Sequence, residues 1–340
     1  MTSILTLQKR KEAFLKLGEY LLSPDELLLQ LIQTAQHQNG WFTKEETTRA
    51  VKAWGNSLNA TDLNTWLDFE PKEEKSKRVG LILAGNIPLV GFHDILSVLA
   101  SGHIALIKLS SQDNKLTPYL LKKLIEIEPG FEDRILFTER LEKFDAVIAT
   151  GSNNSSRYFE YYFSKVPHII RKNRNSVAVL TGDETPEELF RLGHDIFDYY
   201  GLGCRNVSKL FVPVAYNFNK FFEAIESYKF VINNHKYANN YDYNKSVYLV
   251  NSVKHLDNGF LLLKGDQGLS SPLSVLFYEE YEDLNEVEVV LQTSADQIQC
   301  VACSPQININ SQKVGFGETQ QPKLWDYADN INTIAFLQGL

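Results

Sequence analysis

Between residues 78 and 109 the hydrophobic pattern changes twice, and that succession narrows the folds open to the chain. Val79-Gly80-Leu81-Ile82-Leu83-Ala84 is an unbroken apolar run of strand length. Residues 93–100 suit a helix, Gly102 ends it, and Ile104-Ala105-Leu106-Ile107-Lys108-Leu109 is a second strand. A strand, a helix and a strand in this spacing form a β-α-β unit, whose strands are parallel and whose crossover is right-handed. The predicted frame is therefore a doubly wound α/β sheet of the kind that binds cofactors.

The alternation continues. It predicts a helix over 117–127, a strand at 134–138, and the strand Ala146-Val147-Ile148-Ala149 running into Thr150-Gly151-Ser152 and a helix from about Asn154. Ser176-Val177-Ala178-Val179-Leu180 is a further strand, and 186–199 a helix with Leu189, Leu192, Ile196 and Tyr199 on one face. Beyond it come the strand Lys209-Leu210-Phe211-Val212-Pro213, a helix over 218–227, strands near 247–250 and 274–277, and a helix over 284–293. The first seventy residues read as helices. Ser23-Pro24-Asp25-Glu26 and Thr43-Lys44-Glu45-Glu46 both fit a capping box with an acidic N3 residue. The apolar face of 26–32 is expected to pack on the main body, and 71–77, with five charged residues, to be a solvated connector.

At 340 residues the chain is long enough for two domains. The expected division is an N-terminal helical segment at 1–77, a cofactor domain at 78–172, a second α/β domain at 173–305 and a C-terminal segment at 306–340. The net charge is −8 and no basic cluster carries interleaved aromatics, which argues against a nucleic-acid partner and for a small substrate. No run of 18 apolar residues and no charged-then-apolar leader occurs, so no membrane span is expected and the reading is cytoplasmic. Of the three cysteines, Cys300 and Cys303 have no second pair at zinc spacing; they read as reduced thiols on a buried strand, with no metal.

The third, Cys204, lies in Tyr200-Gly201-Leu202-Gly203-Cys204-Arg205, where a glycine-rich turn exposes a thiol that can attack a carbonyl as thiolate. Three loops at strand ends are polar or glycine-rich: Gly85-Asn86-Ile87-Pro88, Lys108-Leu109-Ser110-Ser111 and Thr150-Gly151-Ser152. Together they suit a phosphorylated cofactor, with Lys108 as a fixed positive charge and Gly151 and Ser152 as donors beside a helix N-terminus. Each position also has an ordinary role. Cys204 can be a small core residue, Asn86 a turn former before Pro88, Lys108 a solvated side chain, and Gly151-Ser152 a plain strand-to-helix turn with an N-cap. The aromatic run Tyr158-Phe159-Glu160-Tyr161-Tyr162-Phe163 reads as core or subunit interface.

In order and approximate spacing, Gly85-Asn86-Ile87-Pro88, the stretch from Gly102 to Ser111, Thr150-Gly151-Ser152 and Gly203-Cys204 resemble the aldehyde dehydrogenase superfamily. The resemblance runs from about Arg78 to the C-terminus. Lys108-Leu109-Ser110-Ser111, Arg174-Asn175-Ser176-Val177-Ala178-Val179-Leu180 and the short length look more closely like the LuxC-type acyl-CoA reductases of bacterial luminescence systems. The resemblance implies an aldehyde-dehydrogenase-like α/β fold, with a cofactor domain and a catalytic domain. It implies that Asn86 and the backbone N–H of Cys204 form an oxyanion hole, that Lys108 binds the adenosine ribose or a 2′-phosphate, and that Ser110, Ser111, Thr150, Gly151 and Ser152 line the nicotinamide cofactor, NADPH or else NADH.

One departure matters. Hydrolytic members of the superfamily carry a glutamate about thirty-three residues before the cysteine, where this chain has Arg171. Without that base, attack of water on a thioester is poorly assisted, and a thiol such as coenzyme A is the expected acyl partner. A second family glutamate, which holds the nicotinamide ribose, is missing where Gly268-Leu269-Ser270-Ser271-Pro272 aligns. The expectation is reduction of a long-chain fatty acyl-CoA to an aldehyde through acyl-Cys204, by a homo-oligomer working with an acyl-activating partner enzyme. The alternatives are a scaffold or acyl carrier of the same fold, or a reductase of another acyl thioester. The strand-like 332–337 was available to pair with another subunit's sheet edge.

Overall fold

The computed structural model describes residues 5–70, 76–304 and 307–340, so most of the charged connector at 71–77 lies outside the described residues. The chain forms two compact units, one made of Met1–Asn173 with Lys323–Leu340 and the other of Arg174–Pro322.

The first unit opens with four helices: α1 (Leu7–Leu22), α2 (Glu26–Thr34), α3 (Lys44–Ser57) and α4 (Ala60–Trp66). Thr43 caps α3 by accepting the Glu46 N–H at 3.4 Å. The box expected at Ser23 is displaced. Asp25 is the cap of α2, accepting the Leu28 N–H at 2.9 Å, while Ser23 ends α1. Only Leu28 and Ile32 of α2 are buried; Leu27 and Leu29 face out.

Five strands follow with their crossover helices: β1 (Arg78–Ile82), α5 (Phe92–Ala100), β2 (Ile104–Lys108), α6 (Leu116–Ile127), β3 (Ile135–Phe137), β4 (Ala146–Thr150), α7 (Asn153–Phe163) and β5 (His168–Arg171). The sheet order is β3-β2-β1-β4-β5 and every pairing is parallel. Strand order therefore reverses beside β1, and the carboxyl ends of β1 and β4 flank the switch point where such sheets bind ligands. Val79, Leu81, Ala105 and Ile107 bury the sheet's apolar side chains against Ile95, Leu99, Leu120 and Leu124, and α1 adds Phe14, Leu17 and Leu21.

The second unit carries β6 (Asn175–Val179), α8 (Pro186–Phe197), β7 (Val207–Pro213), α9 (Phe218–Ile225), α10 (His235–Val250), β8 (Leu256–Asp257), β9 (Leu262–Gly265), β10 (Val275–Tyr281), α11 (Leu284–Thr293), β11 (Ile298–Cys303) and β12 (Gln312–Val314). Its sheet runs β12-β11-β6-β7-β10-β9-β8, parallel throughout except for the β8–β9 pair. The strand expected near 247–250 is the last turn of α10. Tyr237, Tyr241, Asn244 and Tyr248 are buried at helical spacing, and Asn234 caps the helix through the Lys236 and Tyr237 N–H groups.

The chain returns to the first unit at Lys323 and ends in α12 (Thr333–Gln338). This helix replaces the strand expected at 332–337. Asn332 caps it through the Ala335 N–H at 2.9 Å, and Ile334 and Leu337, three residues apart, are buried on one face. The segment is therefore not a sheet edge open to another subunit. Among the described residues no helix is long and apolar enough to cross a membrane.

Candidate active site

In the first unit the parallel register brings the loop residues singled out in the sequence to one edge of the sheet. Ile82, the last residue of β1, pairs with Lys108 on one side and Ala149 on the other. The loops holding Asn86, Ser110 and Ser111, and Thr150-Gly151-Ser152 all leave from that carboxyl edge.

The loop after β1 is anchored at both ends. Gly85 is buried so closely against the loop after β2 that a Cβ there would lie 2.4 Å from Ser110 Oγ. Its carbonyl accepts from Asn39 Nδ2 at 3.3 Å. Four residues on, the Leu89 N–H donates to the Asp113 carboxylate at 3.1 Å, and Thr117 Oγ1 donates to the same oxygen at 3.0 Å. Burial pushes the Asp113 carboxyl above its ordinary range, and these donors oppose the shift. Asn86 sits half-buried in this held loop, while Lys108 and Ser111 are exposed. Ser152 caps α7 by accepting the Ser155 N–H at 3.3 Å. Gly151 lets the helix approach, since a Cβ there would come within 2.9 Å of Phe159 and Ser155. An exposed ammonium, three serine hydroxyls and a helix N-terminus at a switch point are a donor set suited to the phosphates and ribose of a nicotinamide dinucleotide.

Arg171 ends β5 and points into its own unit. Its Nη2 donates to Asp94 Oδ1 at 2.6 Å and its Nε to Asp94 Oδ2 at 3.3 Å, a two-bonded pair with α5. Nη1 donates to the Ala328 carbonyl at 2.6 Å and Nη2 also reaches Thr333 Oγ1 at 3.0 Å. A guanidinium held this way is a structural clamp, and a permanently charged one cannot take a proton from water.

The second unit presents Cys204. Thr185 and Glu188 form a reciprocal capping box at the start of α8, which buries Leu189, Leu192 and Ile196 and delivers the chain to the turn before the cysteine. There Tyr199, Tyr200 and Gly201 take φ values of 53°, 57° and 77°, three successive left-handed residues. For the two tyrosines this backbone costs about 1–2 kcal/mol each. The next turn closes with the Gly203 N–H on Asn206 Oδ1 at 2.8 Å and the Asn206 N–H on the Gly203 carbonyl at 3.0 Å. Cys204 is at the crest of that turn and exposed, which removes the small-core-residue alternative.

Three side chains lie beneath it, of which sequence reasoning passed over Asn206 and Ser176 and read Cys300 as a reduced thiol on a buried strand, where it is found. Asn206, 3% exposed, donates from Nδ2 to the carbonyls of Asp198 at 2.8 Å and Asp195 at 3.1 Å. Ser176 Oγ donates to the Cys204 carbonyl at 3.0 Å and lies 3.1 Å from Cys300 Sγ. Because the serine has one proton and a carbonyl can only accept, Cys300 is the donor to Ser176. Burial pushes the Cys300 thiol up to about 11, so it keeps the proton this bond requires. No spacing rule marks these residues; Ser176 and Cys300 meet only because β6 and β11 are neighbours in the sheet.

The Gly268–Pro272 region lies between β9 and β10, where the Leu269 carbonyl accepts from Ser208 Oγ at 2.6 Å; the sequence from 268 to 272 offers no carboxylate.

Solved structures share this architecture. Aldehyde dehydrogenase 21 from Physcomitrella patens, in complex with the reaction product succinate, superimposes with a TM-score of 0.70 at 13% identity, covering 99% of this chain and 85% of that one. An indole-3-acetaldehyde dehydrogenase complexed with NAD+ gives 0.69 at 12% identity over 99% and 83%. An aldehyde dehydrogenase from Bacillus cereus in complex with NAD+ gives 0.68 at 14% identity over 98% and 82%. No curated protein matches the sequence. The fold is that of the aldehyde dehydrogenase superfamily. Within it, residues 61–225, a stretch that includes Asn86, Lys108 and Cys204, match the acyl-CoA reductase (LuxC) family. That match spans just under half of the chain, and together with the shared fold it supports a LuxC-type oxidoreductase.

Proposed function

We propose that this protein reduces a long-chain fatty acyl-CoA to the aldehyde through an acyl-cysteine on Cys204, using NADPH in preference to NADH. The observation that carries the reading is the exposed Cys204 on a doubly pinned turn, in a chain whose Arg171 is locked to Asp94 where hydrolytic relatives place a base. The Cys204 thiolate attacks the thioester carbonyl and the C–S bond to coenzyme A breaks, leaving the acyl group on Sγ. The Asn86 side-chain amide and the Cys204 backbone N–H are the proposed donors to the oxyanion, a role worth about 10²–10³ in rate per donor. Lys108, Ser110, Ser111, Thr150, Gly151 and Ser152 are proposed to hold the cofactor. When bound, the reduced nicotinamide supplies the hydride that converts the acyl-cysteine to a thiohemiacetal. Collapse of that adduct releases the aldehyde and returns the Cys204 thiolate.

Intact-protein mass spectrometry after incubation with a long-chain acyl-CoA tests the reading. It expects one acyl group on the wild type, none on Cys204→Ser, and aldehyde on adding NADPH. Aldehyde formation by Cys204→Ser at the wild-type rate would overturn it.

The absence of a carboxylate over 268–272 favours a second reading, an acyl carrier or scaffold for a partner enzyme. A carrier acquires the acyl group but shows no thermal shift with NADPH or NADH, whereas a reductase shows one.

A further inference from the structure

We propose that Asn206 and Ser176 are positioning residues that fix the backbone of Cys204 on both sides of its Cα, and so set the direction of the N–H that meets the substrate oxygen. The inference rests on Cys204 being the acyl acceptor.

A trans peptide is planar, so the N–H of one residue points opposite to the carbonyl of the residue before it. The Gly203 carbonyl is held at 3.0 Å by the Asn206 N–H, which directs the Cys204 N–H the other way. The peptide after the cysteine is held at its carbonyl by Ser176 Oγ at 3.0 Å. With both planes fixed, φ and ψ of Cys204 are fixed as well. Ser176 is itself oriented by the Cys300 thiol, so a buried row from Cys300 through Ser176 to the Cys204 carbonyl runs in one donor direction.

Asn206 does more than close the turn. Its Oδ1 occupies the Gly203 N–H at 2.8 Å, which excludes that amide as an oxyanion donor. Its Nδ2 binds two carbonyls at the end of α8, on the far side of the left-handed Tyr199-Tyr200-Gly201 turn. One side chain thus ties the strained approach and the cysteine turn together. Oxyanion donors act through preorganised direction, so loosening this tie costs rate in acyl transfer.

Two electrophiles separate positioning from general damage. p-Nitrophenyl acetate acylates a cysteine through a tetrahedral oxyanion and releases p-nitrophenolate as the acetyl–oxygen bond breaks. Iodoacetamide alkylates the same sulfur by displacing iodide and needs no oxyanion donor. For Asn206→Ala and Ser176→Ala, assayed well below their melting temperatures, the p-nitrophenolate burst rate should fall on the order of tenfold or more. Alkylation of Cys204 should stay within about twofold of wild type, the Cys204→Ser variant marking the background of both. A burst rate unchanged in both variants overturns the inference, as does a parallel fall in burst and alkylation. If Asn206→Ala does not fold, Ser176→Ala decides alone. If the wild type gives the burst but no adduct from acyl-CoA, the proposed substrate fails while the positioning role is still measured.

Discussion

Arg171 and Asp94 form a buried ion pair with two hydrogen bonds that joins the end of β5 to α5. Both charges are desolvated, so removing one strands the other. Arg171→Ala should lower unfolding stability by about 3–5 kcal/mol, read by urea denaturation. Arg171→Glu should not create a hydrolase: two carboxylates would face each other, and fatty-acid release from acyl-CoA should stay at background while stability falls further.

The two cysteines joined to Ser176's neighbourhood should behave differently with pH. Cys300 has its thiol raised to about 11 by burial against an ordinary value of 9.0. The folded state therefore holds this proton more tightly than the unfolded one. That contribution to stability is fully present below about pH 9 and is lost as pH rises through about 11. Melting temperatures measured across this window should fall for wild type, and the fall should be shallower for Cys300→Ala. Peptide mapping after brief iodoacetamide treatment at neutral pH should find Cys204 modified and Cys300 intact.

Asp195, fully buried in α8, accepts the Gly317 N–H at 2.6 Å and the Thr319 N–H at 3.0 Å, and tethers the 317–319 loop. Burial raises its carboxyl to about 6. Its protonation favours the folded state, so this group's contribution is greatest below its unfolded value of 3.8 and is lost as pH rises through about 6. Asp195→Asn leaves one acceptor oxygen for two backbone donors, and should cost about 1–3 kcal/mol at neutral pH.

Gly151→Ala should separate cofactor binding from acylation. The added methyl meets Phe159 and Ser155, so α7 must shift from the end of β4. The dissociation constant for NADPH, measured by calorimetry, should rise on the order of tenfold. The burst with p-nitrophenyl acetate at Cys204, in the other unit, should be unchanged.

Much of the fold was legible because local pattern and tertiary role agreed. β1, β2 and β4 are continuous apolar runs, as strands covered on both faces must be, and α5 and α6 fall where the period lengthens. The errors arose where a short β-branched run concealed a helical spacing. Val247 to Val250 end a helix fixed by tyrosines upstream, and Thr333-Ile334 belong to a helix fixed by an asparagine cap. Cys204 and the loops at the carboxyl edge were visible because glycines and polar residues interrupt apolar runs. The links from Asn206, Ser176 and Cys300 to the Cys204 turn were not, since a hydrogen bond between β6, β11 and a turn has no one-dimensional signature.

The return of Lys323–Leu340 to the first unit gives folding an order. His93 and His103 bond the Leu324 and Leu337 carbonyls, and Arg171 waits for Thr333 and Ala328. On a translating ribosome these partners emerge only after the whole of Arg174–Pro322. The unit that carries Cys204, the proposed nucleophile, can thus reach its native state while the unit proposed to hold the cofactor is still unfinished. Its thiol would be in place before the chain that completes the other unit has been made.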